Sequence, residues 1–295
     1  MSTVTTSTPK AATQAAVAYK DVTIELGALA PAQARVYGER KRGVVAPLVV
    51  NFHGGAFTGG GVENGVNFAS LLASSGAIVV SIAYPLAPAH PFPQAVDVGY
   101  GVLEWAYKNR TKLAGTGAPV YLAGEEAGGN LAAAVALIAR DRAHPPLTGQ
   151  VLVSPMLDPC VGTASVRQAM GPETGCKWSD GWRNYLRCPQ DAVHPYAVPG
   201  ASSRLTGVAA TLVLTSADDP MRDEARAYAD KLKAAGVPVS FEVMTPRTGW
   251  PESLMGTEFQ ECPCAVQVRG RLEAFFDAHA PAKDGAKARP SDGAS

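Results

Sequence analysis

Four short stretches of the chain hold residue types that could do chemistry. His53-Gly54-Gly55-Ala56-Phe57 directly follows a run of strand-forming residues. Glycines at such a place let backbone N–H groups turn into a site, where they can hold a negative oxygen. Gly124-Glu125-Glu126-Ala127-Gly128-Gly129-Asn130 falls between a strand-like and a helix-like segment. A carboxylate on that turn meets the unpaired N–H groups and the positive dipole end of the helix that follows. Glu126 is therefore expected to stand there as an anion, and it is also a candidate acid, base or nucleophile. Asp218-Asp219-Pro220-Met221-Arg222-Asp223-Glu224 and Arg247-Thr248-Gly249-Trp250 add two adjacent acids, a hydroxyl and a cation. Arg247 is a candidate counter-ion for Glu126.

The elements that must position these residues alternate along the chain. Val22 to Leu26 and Ala34 to Tyr37 have strand character. Pro47 to Phe52, Ile78 to Tyr84, Pro119 to Ala123, Gln150 to Ser154, Thr211 to Ser216 and Val239 to Met244 are short apolar runs. Runs of this kind suit strands of a parallel sheet buried on both faces. Helical periodicity covers Gln94 to Lys112, Ala127 to Arg142, Arg222 to Ala235 and Cys264 to Ala278. Gly236 is a natural C-cap for the third of these. The alternation predicts an α/β fold, with a mostly parallel central sheet and helices on both faces. Asp158 to Pro199 breaks the rhythm with Gly, Pro and Trp. It reads as an inserted loop or small cap, about 158–199, over the carboxyl edge of the sheet, where ligands bind in such folds. Trp178, Trp182, Tyr185 and Tyr196 are candidates for an apolar pocket wall.

Composition bounds the function. The 295 residues are 46% hydrophobic, with 26 basic and 26 acidic side chains. A balanced charge gives no electrostatic grip on nucleic acid or an anionic membrane, so a small, largely uncharged ligand is the expected partner. No apolar run is long enough to span a bilayer. Residues 1–16 lack the apolar segment of a signal peptide and, like 281–295, read as a loose tail. The range 17–280 is then one domain, and the default compartment is the cytoplasm. The five cysteines are Cys160, Cys176, Cys188, Cys262 and Cys264. An odd count argues against a full disulfide framework. Cys262-Pro-Cys264 is one residue short of C-x-x-C and has no His close by, so thiols without a special role are expected. No metal or other cofactor is expected.

Taken in order, the four stretches resemble the hormone-sensitive-lipase-like esterases of the α/β-hydrolase fold. His53 to Phe57 is similar to that family's HGG(G/A)-aromatic loop. Tyr84-Pro-Leu-Ala-Pro-Ala-His-Pro-Phe-Pro93 resembles its YRLAPEHPFP segment, with Pro85 in place of Arg. Gly124 to Asn130 resembles GDSAGGN, and Asp218 to Glu224 resembles DPLRDE. The resemblance runs from about Leu48 to Phe276 and implies a Ser-His-Asp triad. Carried over residue by residue, Asp219 matches the triad acid. Gly54, Gly55 and the Ala127 N–H match the oxyanion donors, and His53 matches a loop-shaping residue. Glu126 stands where the nucleophilic Ser belongs, and Thr248 stands where the catalytic His belongs. Phe57, Trp182, His194, Arg247 and Trp250 complete the expected binding surface. The family also usually carries an N-terminal helical cap, for which 52 residues before the loop leave little room. Family members often dimerise through the last strand and helix, so a homodimer is a further expectation of the resemblance.

Two changed triad positions alter the chemistry. A serine hydrolase needs a hydroxyl and a base that takes its proton, and Thr248 is no base near neutral pH. Of His53, His90, His144, His194 and His279, His194 is the candidate substitute base. Three readings follow. The first is a pseudo-esterase that binds a ligand in the former active site, as the plant gibberellin receptors of the broader family do without the His. The second is altered chemistry, with Glu126 as acid, base or nucleophile. The third is a carboxylesterase rescued by an unrecognised base.

Overall fold

The computed structural model describes residues 17–170, 176–245, 247–258 and 263–280. The expected tails 1–16 and 281–295 lie outside these ranges. Five strands are buried along their whole length: β3 (Leu48–Phe52), β4 (Ile78–Ile82), β5 (Val120–Glu125), β6 (Gly149–Val153) and β7 (Ala210–Ser216). Their side chains alternate between two apolar layers, so each strand needs cover on both faces. β1 (Tyr19–Leu26) and β2 (Leu29–Tyr37) form an antiparallel hairpin at one edge, and β8 (Val239–Met244) closes the other. The order is β1-β2-β4-β3-β5-β6-β7-β8. All neighbours from β4 to β8 pair in parallel, while β2 meets β4 antiparallel.

Helices cover both faces. α2 (Gln94–Leu113), α3 (Ala127–Asp141) and α6 (Arg222–Ala234) contribute Val102, Leu131, Val135 and Leu232 to one core. α1 (Val66–Ser74) and α7 (Ala265–Ala278) place Phe68, Leu72, Leu272 and Phe276 in the other. The predicted strands and four helices are all present, with ends moved by a few residues. α1 is the addition. Seven of its residues from Val66 to Leu72 are buried, so it has no polar face and shows no amphipathic period. The inserted region 158–199 is a small cap of two helices, α4 (Ala164–Met170) and α5 (Lys177–Tyr185), followed by short 3₁₀ turns. No described helix is long and apolar enough to cross a membrane.

Cys264 is disulfide-bonded, whereas Cys160, Cys176 and Cys188 are free. The expectation of thiols without a role at Cys262-Pro-Cys264 therefore fails at Cys264; Cys262 lies outside the described residues. Among the described residues no cluster of His, Cys, Asp and Glu is arranged to hold a metal ion.

Candidate functional site

The site is built where β5 gives way to α3. Glu126 is the N-cap of α3, with φ 55° and ψ −117°, a conformation that L-residues adopt at a cost and that marks sharp functional turns. The turn is fixed by the Glu126 N–H donating to the Val153 carbonyl at 2.9 Å and the Met156 N–H donating to the Glu126 carbonyl at 3.0 Å. Gly128 lets the helix start close to the sheet, because a Cβ there would collide with the Phe52 carbonyl oxygen. The strand-to-helix turn thus presents the Glu126 side chain at the carboxyl edge of the sheet, beside the loop that follows β3.

The Glu126 carboxylate is fully buried and surrounded by donors. Its Oε2 accepts the Gly55 N–H at 2.5 Å and the Ala56 N–H at 2.9 Å. Its Oε1 accepts the Trp178 indole N–H at 2.6 Å, and the Lys177 ammonium stands 3.7 Å away. An ionised carboxylate is an acceptor with no donor of its own, so this set matches it at every contact. Two of the donors are backbone amides on the glycine loop and two belong to the first residues of α5. The carboxylate therefore ties the cap to the glycine loop.

Several sequence-predicted roles are redistributed. The motif points to Gly54, Gly55 and Ala127 as oxyanion donors, whereas the amides that reach Glu126 are those of Gly55 and Ala56. The loop turns at Ala56 and Phe57, both with positive φ, and this moves the donor pair one residue along. The Ala127 N–H opens α3 and makes no bond to the carboxylate among the described residues. Arg247 is exposed and is not the counter-ion; Lys177 is. Residue type alone could have nominated Lys177, but nothing in the spacing placed the start of α5 over Glu126.

Among the described residues, the side chains of Glu126, Asp219 and Thr248 make no hydrogen bond to one another. Asp219 is buried, and its carboxylate accepts the hydroxyls of Ser154 at 2.6 Å and Thr215 at 2.5 Å and the Met221 N–H at 2.8 Å. Burial pushes its carboxyl up to about 6 against the pull of those three donors. Thr248 is buried, but among the described residues its hydroxyl has no partner. Its N–H donates to Asp218 at 3.2 Å, and the Gly249 N–H donates to the same carboxylate at 3.1 Å. The loop that carries Thr248 is thus anchored to Asp218, not Asp219. His194 is exposed, with its ring against Phe92 and Tyr196, and it accepts the Tyr196 N–H. It makes no contact with Glu126 and cannot serve as the substitute base in this arrangement.

The expected pocket wall is folded inward. Phe57 stacks on Tyr185 at 4.1 Å between ring centroids and meets Trp182 at 4.9 Å. Gly181 lets α5 approach this loop, since a Cβ there would collide with the Ala56 carbonyl oxygen. On the other side of the loop, Met255 leaves no room for a side chain on Gly54. Tyr196 instead donates its hydroxyl to Asp141 at 2.7 Å. Trp250 is buried in the core beneath α7 rather than facing Glu126. His53 is buried, stacked on Tyr84 at 4.3 Å, with its Nδ1 2.6 Å from the Gly54 carbonyl. Burial lowers it to about 4, so it is a neutral brace of the loop near pH 7. Glu125, one residue before Glu126, is fully buried, and among the described residues neither of its carboxyl oxygens has a hydrogen-bond partner. Burial pushes it well above the carboxylate range; the Gly54 backbone nearby pulls the other way without closing a hydrogen bond.

The family model for the alpha/beta hydrolase fold matches residues 49–247, a stretch that contains all of this geometry except the strap after Arg247. The chain belongs to the hormone-sensitive-lipase-like family of the α/β-hydrolase fold. The carboxylesterase NlhH of Mycobacterium tuberculosis is 33% identical over 199 residues, 65% of this chain and 62% of that protein. The gibberellin receptor GID1B of Arabidopsis thaliana is 32% identical over 210 residues, 66% of this chain and 58% of the receptor. The chain therefore spans less than two thirds of the length of these curated relatives. Among solved structures, an esterase from the archaeon Pyrobaculum calidifontis superposes with a TM-score of 0.76 at 35% identity, covering 89% of this chain and 87% of that one. The family thus includes proteins named as hydrolases and a protein named as a receptor.

Proposed function

We propose that this chain is a non-hydrolytic member of its family, a disarmed esterase that binds a small neutral or apolar ligand beneath its cap. The observation that carries this reading is the Glu126 carboxylate, which fills the Gly55 and Ala56 amides as a built-in stand-in for the oxyanion. A tetrahedral intermediate needs those amides free. Three further features support the reading. Thr248 offers no base, Asp219 is spent on Ser154 and Thr215, and His194 is turned away. A carboxylate nucleophile would also need its oxygen free to attack, and both oxygens of Glu126 are engaged.

In this reading the arrangement with Trp178 on Glu126 and Trp182 on Phe57 is the closed form. A ligand enters by displacing α5, and the two indoles report it. The test compares hydrolysis of a short-chain p-nitrophenyl ester by wild type and by Glu126→Ser/Thr248→His. The reading expects baseline turnover from wild type and a gain of at least 10²-fold from the double variant, since a triad contributes far more than that when complete. Wild-type turnover in the range of an ordinary esterase, about 1 to 10³ per second, would overturn it.

A further inference from the structure

A cleft, ≈ 340 Å³ in volume, opens beside the start of β2, between the segment that follows β4 and the first turns of α2. This size is at the lower end of small-molecule sites. Its walls are largely apolar, from Leu29, Ala32, Pro85 and Val98. Its polar residues are unequal in what they already bind. His90 and Gln94 are paired with each other at 2.7 Å. The Tyr84 hydroxyl is turned away to the His53 carbonyl at 2.9 Å. Asp97 is different. Among the described residues its carboxylate has no hydrogen bond and no ion pair. The nearest cation acting on it is Arg142, which lies over the Tyr100 ring at 4.4 Å and is felt at longer range.

Asp97 is exposed and stands in the first turn of α2. Pro85 lines the cleft at the position where the family segment carries Arg. An acid at the open side of an apolar cleft, with no resident partner, complements a ligand that carries a cation on an apolar body.

We propose that this cleft binds a small organic ammonium ion, with Asp97 taking the charge and the Ala32, Pro85 and Val98 walls taking the apolar body. The site is separate from Glu126, and the proposal does not depend on the non-hydrolytic reading. The test is calorimetric titration of the full chain with 2-phenylethylammonium and, in parallel, with 2-phenylethanol, which has the same body without the charge. The ammonium ion should bind saturably and at least tenfold tighter than the alcohol, a difference of about 1.4 kcal/mol. Asp97→Asn should bring the ammonium ion down to the level of the alcohol. Pro85→Arg, which places a cation on the wall, should weaken ammonium binding by a similar factor. Both positions are at the surface of a cleft, and an unchanged unfolding midpoint verifies that the variants fold. Absent binding of the ammonium ion overturns the proposal. So does equal binding of ion and alcohol, or undiminished binding by folded Asp97→Asn.

Discussion

Replacing Glu126 with Gln keeps the shape of the side chain and removes its charge. In the wild type both carboxyl oxygens face donors: Gly55 and Ala56 N–H on one side, the Trp178 indole N–H on the other. A glutamine has one oxygen and one NH₂ group, so either orientation sets donor against donor. With the NH₂ toward Trp178, one charge-assisted bond is lost and a buried indole N–H is left unpaired. A hydrogen bond to a charged group contributes about 1.5–3 kcal/mol, and an unpaired buried donor costs about 1–3 kcal/mol. Lys177 is half-exposed, so its loss of an anion 3.7 Å away adds at most ~1 kcal/mol. Removing a buried charge works in the other direction, because its desolvation no longer opposes folding. The contacts outnumber that relief here, and Glu126→Gln should destabilise by about 2–4 kcal/mol. Guanidinium unfolding followed by tryptophan emission measures this as a lower midpoint at unchanged slope. A midpoint equal to or above wild type would refute the reasoning, since it would mean that the carboxylate is a burden on the fold rather than the anchor of α5.

Two further outcomes follow from the same geometry. Asp219 is raised from 3.8 to about 6 by burial, so its neutral form favours the folded state. The stability this gives is present below pH 4 and is lost as pH rises through about 6. Asp219→Asn does not titrate, so between pH 4 and 7 its stability should gain on wild type by about 3 kcal/mol, read as converging or crossing unfolding midpoints; parallel profiles would contradict the assigned burial. Gly181→Ala should push α5 off the Ala56 carbonyl and cost about 1–3 kcal/mol, with faster proteolysis within residues 177–185; unchanged proteolysis would show that the cap is not seated by this contact.

Much of the fold was legible because its signals are local. The fully buried strands β3 to β7 read as continuous apolar runs, α2 and α6 carried a helical period, and α3 was legible from its run of alanines. α1 escaped because Val66 to Leu72 are buried all round and leave no polar face to mark a period. In the site, residue type and motif order singled out Glu126 at the turn into α3, and the structure places it there. The partners of Glu126 were not legible. Which amides it meets depends on the positive φ of Ala56 and Phe57, a backbone choice that residue type does not dictate. That Lys177 and Trp178 reach it, 51 and 52 residues along the chain, is decided by how the cap folds back. Aromatic residues in such a cap are more often packing than pocket wall, and Trp182 and Tyr185 are packed on each other and on Phe57 of the glycine loop.

The central claim is that Glu126 blocks the oxyanion amides rather than acting in catalysis. The most direct measurement is the rate of p-nitrophenyl acetate hydrolysis by wild type against Glu126→Ala at equal folded concentration. Emptying the Gly55 and Ala56 amides should leave the rate unchanged or raise it, because a free oxyanion site alone can give about 10³–10⁴ over water. A clear fall in rate on losing Glu126 would contradict the account and make this carboxylate a working catalytic group.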